Sequence, residues 1–459
     1  MDKRILIWNQ HWWTLGGGER YSATLAIKFA EAGNQVVIAG CIDDPRDDIK
    51  SRLGIDLTNV GFLAVADSWK LMTTLNGYDV FINGSHNTDI FPPPGILSIL
   101  ICHFPQSLQS HRRWVPKSVA KLFDFNHVRK YPQANSVWLG ECGTIVLGEH
   151  DLSVEVLSGS LLISGNYQIE VKAGQQKELE SNTWQRLVPD SNQRTVYRIT
   201  GIDSASLGTL VEDRFTNPLQ CAHNYDAIWS NSEFVHEWVA RRWRVESETL
   251  NPPIANVILP KEDIEPDPYQ IISVGRFFSP AQGHCKNQHL MIEAFRKLTA
   301  NSSSPWKLVL VGSLSGEDTG YLSDVRRRAS DLNVAIQIGV SSEQLEVEYA
   351  RSAFYWHATG LGRSKSEPEA QEHFGITVVE AMARGLVPIV YDSAGPRNIL
   401  QNWPHLRYSS VKELVNRQEA LFDKDLEILR GEMRKESARY SEAEFGSQAL
   451  HLLDKLIEK

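Results

Sequence analysis

The chain has 459 residues, 42% hydrophobic and 22% charged, the make-up of a globular protein of two or three domains. Its formal net charge of −9 argues against nucleic acid as a main partner, because gripping phosphate needs a basic face. The five cysteines, Cys41, Cys102, Cys142, Cys221 and Cys285, are scattered and never spaced C-x-x-C, which fits a reducing compartment with neither a disulfide framework nor a zinc site.

"RILIWNQ" (Arg4 to Gln10) opens the chain as a buried-type strand, with no signal peptide ahead of it. No apolar run reaches the ~20 residues of a membrane span. The expectation is a cytoplasmic protein, free or resting on the inner face of a membrane. "TLGGGER" follows, then the helical "YSATLAIKFAEAG" with Gly33 as its stop, then the strand "NQVVIAGC". A β-α-β unit with a glycine-rich first turn predicts a parallel, doubly wound sheet. "GFLAV", "YDVFING" and "ILSILICHF" continue it, giving a first Rossmann-like segment over 1–135.

Near its end, "HRRWVPKSVAKLF" gathers Arg112, Arg113, Lys117 and Lys121 around Trp114, Val115, Val119 and Leu122. Such a face suits either solvent or an anionic lipid surface. Over 136–211 the pattern changes to alternating "LSVEV" and "YQIEV" between Gly, Ser, Asn and Asp turns, a small antiparallel β domain inserted into the first one. Its Trp184 and Tyr197 suit either a sugar face or the core. "NYDAIWSNSEFVHEWVARRW" returns to strand and helix, with Ser232 as helix cap, so 212–255 completes the first domain. From "YQIISVGRFF" strands and helices alternate again, a second Rossmann-like domain over 256–440. The tail 441–459 reads as a helix crossing back to the first domain. Asp423 and Asp425 form a D-x-D, read as solvated surface, and no metal is expected.

Chemistry-bearing residues fall where these strands end, which is where open α/β sheets bind ligands. Gly16, Gly17 and Gly18 permit close backbone approach at a helix start that favours an anion. His103 ends one strand and His357 another. Arg276 follows "SVG" and Lys286 precedes the next helix, two cations suited to a diphosphate. In "EHFGITVVEAMARG", Thr377, Glu380 and Arg384 make a polar stripe about 60° wide on a helix. Glu380 and Arg384 are spaced as an i,i+4 ion pair.

The joint order of "GGGER", "CHFP", "GRFF", "KNQ", "EHFGITVVEAMARG" and "AGP" resembles the retaining GT-B glycosyltransferases of family 4. The likeness spans most of the chain outside the β insertion. It implies two Rossmann-like domains facing a cleft, the first taking acceptor and the second donor. The donor would be a nucleotide-diphosphate sugar, GDP-mannose or a UDP-sugar, and the acceptor a glycan or lipid-linked glycan; no other cofactor is called for. Position by position, it implies that Glu372 contacts the transferred sugar and Glu380 the ribose. Arg276 and Lys286 grip the diphosphate, Gly17 and Gly18 close over it, and His103 stands near the reacting sugar. Phe374, Gly375 and Ile376 present backbone amides to sugar and phosphate. The implied mechanism is front-face attack with the leaving phosphate helping to deprotonate the acceptor. The chain departs from the family at Ala394, where a glycine is usual, at Asn398, where an acid is usual, and in the long "GLGRSKSEPEAQ" before Glu372. Two other readings stay open on the sequence: a GT-B-fold nucleotide-sugar epimerase, and a non-catalytic glycan-binding protein that uses the β insertion.

Overall fold

The computed structural model describes residues 2–105, 137–212 and 225–458, apart from 42, 66–70, 72–73, 86–89, 91, 93–95, 141–142, 148–151, 165–167, 181–183, 190–194, 202–205, 244, 256, 258–263, 283–284, 301, 315–318 and 423–424. The basic cluster Arg112, Arg113, Lys117 and Lys121 lies outside them.

Seven parallel strands form the first sheet, in the spatial order Glu248–Thr249, Ala227–Ser230, Leu97–Cys102, Val80–Asn83, Arg4–Trp8, Gln35–Gly40 and Gly61–Ala64. The strand Arg4–Trp8 sits inside this sheet, so both its faces need apolar cover. Ile5 and Ile7 enter one hydrophobic core, and Leu6 and Trp8 the other. That is the two-residue alternation of a strand expressed twice. The helix Gly17–Glu31 packs Tyr21, Leu25 and Phe29 onto the first core and ends beside Gly33, whose φ is +88°. Chain from both sides of the insertion thus shares one sheet: Ala227–Ser230 pairs in parallel with Leu97–Cys102.

Two antiparallel sheets lie between. One has five strands, Gln168–Lys172, Ser160–Ser164, Trp184–Pro189, Gly143–Leu147 and Val137–Gly140; the other has four, Gln176–Glu178, Leu152–Ser158, Thr195–Gly201 and Ser206–Glu212. Val154, Val156, Leu161, Ile163, Leu187 and Tyr197 make their shared core. Tyr197 is wholly buried, so packing and not a sugar occupies its ring. The Trp184 side chain is outside the described residues.

The second Rossmann-like sheet has six parallel strands, Val334–Ile338, Lys307–Gly312, Asp267–Val274, Ser352–His357, Val387–Tyr391 and Arg407–Tyr408. Every residue of Ser352–His357 is buried, as a central parallel strand requires. Asp425 accepts from the Glu427 amide at 3.0 Å and caps the helix Leu426–Ser437, a structural use for half of the D-x-D; Asp423 lies outside the described residues. The last helix, Glu442–Ile457, returns to the first domain. Its Phe445, Ala449 and Leu453, spaced i, i+4, i+8, enter the core that holds Ile5 and Phe29. Phe445 meets Tyr21 edge to face at 4.9 Å, and Arg20 pairs with Glu442 at 3.5 Å.

Candidate active site

Glu372 is the centre of a polar cluster in the cleft. It stands in the loop between the strand Ser352–His357 and the helix Ile376–Ala383. Three donors converge on one of its oxygens, Oε2: the Lys286 ammonium, Thr359 Oγ1 at 3.1 Å and His357 Nε2 at 3.2 Å. Burial alone would push the Glu372 carboxyl up. The charge of Lys286 and the contact with His357 more than offset this and hold it well below the usual range. An ionised carboxylate can only accept, so His357 Nε2 carries its proton. Burial lowers the His357 pKa, more than its hydrogen bond to Glu372 raises it, and the ring is neutral. With Oε2 saturated, Oε1 is the oxygen left to accept from a ligand hydroxyl.

Lys286 reaches this position because of its neighbours. Asn287 adopts a left-handed backbone (φ +55°), unusual for a residue with a side chain. Its Nδ2 donates to the carbonyls of Ala358 at 2.8 Å and Leu361 at 3.1 Å, tying the Lys286 loop to the loop after His357. Gln288, the first residue of the helix Gln288–Ala300, donates to the carbonyls of Gly275 and Arg276 at 3.3 and 3.1 Å. Lys286 therefore does not stand free for a phosphate but already bridges to Glu372. Arg276 is exposed, with its guanidinium 5.7 Å from the Phe278 ring centroid.

After Glu372 the chain turns sharply into the helix Ile376–Ala383. Gly375, at φ +109°, is its N-cap; its carbonyl accepts from the Val378 amide at 3.0 Å, and the Ile376 and Thr377 amides precede the first intrahelical bond. Phe374 is buried against Tyr440. A Cβ at Gly395 would stand 2.2 Å from the Phe374 carbonyl, so the loop "SAGP" and the loop "EHFG" fit only with glycine there. Ala394 beside it takes φ +51°, which is why a glycine is the easier residue at that place.

The Glu380–Arg384 ion pair expected from the spacing does not form. Arg384 instead clasps Glu346, with Nε donating to Oε2 at 2.6 Å and Nη2 to Oε1, and its Nη1 donates to the Glu380 carbonyl at 2.8 Å. The bidentate geometry with Glu346 is better than the side-by-side reach along one helix. Glu380 is left half-buried, and burial raises its carboxyl pKa; the charges of Arg384 and Arg20 pull the other way.

The first domain meets this cluster with its glycine turn. A Cβ on Gly17 would stand 2.7 Å from Ile376 Cδ1, and one on Gly18 would stand 3.4 Å from His103 Nε2. Gly17, Ile376, Gly18 and His103 are thus brought together across the cleft. The turn is held from below by buried Glu19, which accepts from the Gly16 amide at 2.8 Å and from Thr14 Oγ1 at 2.5 Å. His103 Nε2 lies 3.3 Å from the Gly84 carbonyl, and burial lowers its pKa. Sequence reasoning underweighted His357 and did not single out Thr359, Asn287 or Gln288. A single polar residue at a strand end or loop carries no periodic signal. Among the described residues no cluster of His, Cys, Asp or Glu has the makings of a metal site.

Three kinds of comparison bear on the fold and family of the chain. Residues 256–443 match the family model for glycosyl transferases group 1. The GDP-Man:Man(3)GlcNAc(2)-PP-Dol alpha-1,2-mannosyltransferase of Dictyostelium discoideum is 28% identical over 201 residues, 41% of this chain and 37% of that protein. The enzyme of the same description from Homo sapiens is 27% identical over 188 residues, 38% and 35%. In these two pairings the chain spans little more than a third of its relative. Among solved structures, a Rickettsia africae glycosyltransferase superposes with TM-score 0.58 at 11% identity, covering 100% of this chain and 99% of that one. Anabaena HepE, solved with UDP and glucose, superposes with TM-score 0.53 at 11% identity, covering 99% and 100%. Residues 256–443 are therefore similar to the glycosyl transferases group 1 domain, in a chain whose fold is that of the GT-B glycosyltransferases.

Proposed function

We propose that the protein is a retaining hexosyltransferase that moves mannose from GDP-mannose to a glycan or lipid-linked glycan acceptor. The observation that carries this reading is the meeting of Lys286, His357 and Thr359 on one oxygen of Glu372, opposite the Gly17–Gly18 turn. A carboxylate oriented through Oε2 offers Oε1 to the hydroxyls of the transferred sugar. Arg276 and the Ile376 and Thr377 amides of the helix Ile376–Ala383 take the negative charge that develops on the leaving diphosphate, and Lys286 adds its charge from beside them while it bridges to Glu372. Glu380, whose carboxylate has no ion pair among the described residues and stands one turn into that helix, accepts from the ribose hydroxyls. His103, held neutral by burial, lies on the acceptor side. No protein nucleophile is needed, since the leaving phosphate takes the acceptor proton. The mannose preference rests on the two relatives named above. Among the described residues no helix is long and apolar enough to cross a membrane. We place the enzyme at the cytoplasmic face of a membrane, with Arg112, Arg113, Lys117 and Lys121 toward anionic lipid.

The test is release of nucleoside diphosphate from GDP-mannose, UDP-glucose and UDP-N-acetylglucosamine, with and without a lipid-linked oligomannose acceptor. The expected result is GDP release that depends on acceptor and falls at least ~100-fold in Lys286→Ala. Isomerised donor sugar, or no consumption of any donor, contradicts the reading.

A further inference from the structure

A second cluster spans the cleft, and it is aromatic. Phe104 follows His103 and the strand Leu97–Cys102 in the first domain; His373 follows Glu372 in the second. Their rings stack with centroids 4.0 Å apart and planes 12° from parallel. Phe234, from the helix Glu233–Trp243, lies 6.1 Å from each ring. Ser232, which accepts from the Val235 amide at 3.1 Å and so caps that helix, donates its hydroxyl to the His373 carbonyl at 2.6 Å. Arg242 closes the far side. It donates to the Pro105 carbonyl at 2.7 Å and the Glu369 carboxylate at 2.6 Å, and its guanidinium lies 5.0 Å from the Phe104 centroid. His373 Nε2 is 3.2 Å from the Pro368 carbonyl, which fixes the ring within its own loop.

His373 is flanked by the two parts of the candidate site. Glu372 precedes it, and Phe374, Gly375 and Ile376 follow. A peptide cannot move His373 by an ångström without moving the Glu372 carboxylate, and displacements of that size are costly to catalysis. The stack also exists only while the two sheets face each other at this separation. We propose that His373 is a positioning residue, whose stack on Phe104 couples closure of the cleft to the placement of Glu372. The proposal rests on the glycosyl-transfer reading above. It makes the long loop before Glu372 a strap between domains, anchored at Glu369 by Arg242.

The experiment compares wild type, His373→Ala, Phe104→Ala and His373→Phe, with whichever of GDP-mannose, UDP-glucose and UDP-N-acetylglucosamine the wild type consumes. Both alanine variants should lose about 10- to 100-fold in kcat while donor KM stays within about threefold. His373→Phe, which keeps a flat ring, should recover most of the loss. Small-angle scattering should give both alanine variants a larger radius of gyration than wild type. Should His373→Ala not fold, Ser232→Ala carries the same expectation at about threefold in kcat. The proposal is overturned if the alanine variants keep kcat within about twofold, or if His373→Phe is no better than His373→Ala. If the wild type turns over none of GDP-mannose, UDP-glucose and UDP-N-acetylglucosamine, the glycosyl-transfer reading fails on its own. The scattering then decides the closure contact, an unchanged radius of gyration overturning it.

Discussion

Two glutamates eight positions apart meet opposite environments. Glu372 has three donors on Oε2, and its carboxyl sits well below the usual range, because Lys286 and His357 outweigh burial. A carboxyl with a lowered folded pKa contributes stability above its unfolded value, and loses it as pH falls through the folded value. The difference in urea midpoint between wild type and Glu372→Leu should therefore be constant from pH 7 to about 4.5 and shrink only below that. Glu380 is the reverse case: burial raises its pKa, so its ionisation costs stability at neutral pH. Glu380→Gln should raise the Tm at pH 7 by about 2–4 °C while raising donor KM about tenfold. A fall in Tm would show that the carboxylate is held by favourable contacts in the free protein. The sequence marked both glutamates, because an E-(x)7-E across a loop and a helix start leaves a readable pattern. It did not mark the pairing. Arg384 turns to Glu346, thirty-eight residues away in sequence, and no local spacing carries that choice.

Among elements, the loops after the strands do the positioning, and each is fixed by backbone contacts that composition hides. Ala394 occupies a left-handed conformation beside Gly395, whose missing Cβ admits the Phe374 carbonyl. Ala394→Gly should remove a strain of about 1 kcal/mol and raise the urea midpoint, less the entropy that glycine adds to the unfolded chain. Gly395→Ala should cost more than ~3 kcal/mol, since the Phe374 backbone cannot yield. Equal effects at the two positions would contradict this account of the loop. Asn287 is the second such point. Asn287→Ala removes the donor to the Leu361 carbonyl and leaves a strained φ in place, while the Ala358 carbonyl keeps the Leu361 amide at 3.0 Å; it should cost about 1–3 kcal/mol in denaturation together with most of the activity. Strands and helices were legible because burial imposes their periods. The left-handed Asn287 and Ala394 were not, because neither is glycine.

At the scale of the whole molecule, two parallel sheets hold their loop ends toward one cleft, the last helix ties the second domain back to the first, and a β insertion interrupts the first without breaking its sheet. The two Rossmann-like patterns and the insertion were visible in the sequence as shifts between helical and alternating periodicity. The approach of Gly17 to Ile376 was expected only through the family resemblance, which put both at the diphosphate, and the stack of Phe104 on His373 was not expected, since nothing in a linear pattern brings residues of two domains to one place. The central claim, a retaining transfer organised by Glu372, is tested most directly by proton NMR of the product formed from GDP-mannose and an oligomannose acceptor, by wild type and by Glu372→Gln. The account predicts an α-linked product from wild type and a rate at least ~100-fold lower from Glu372→Gln, with GDP still bound. A β-linked product, or a Glu372→Gln enzyme as fast as wild type, would contradict it.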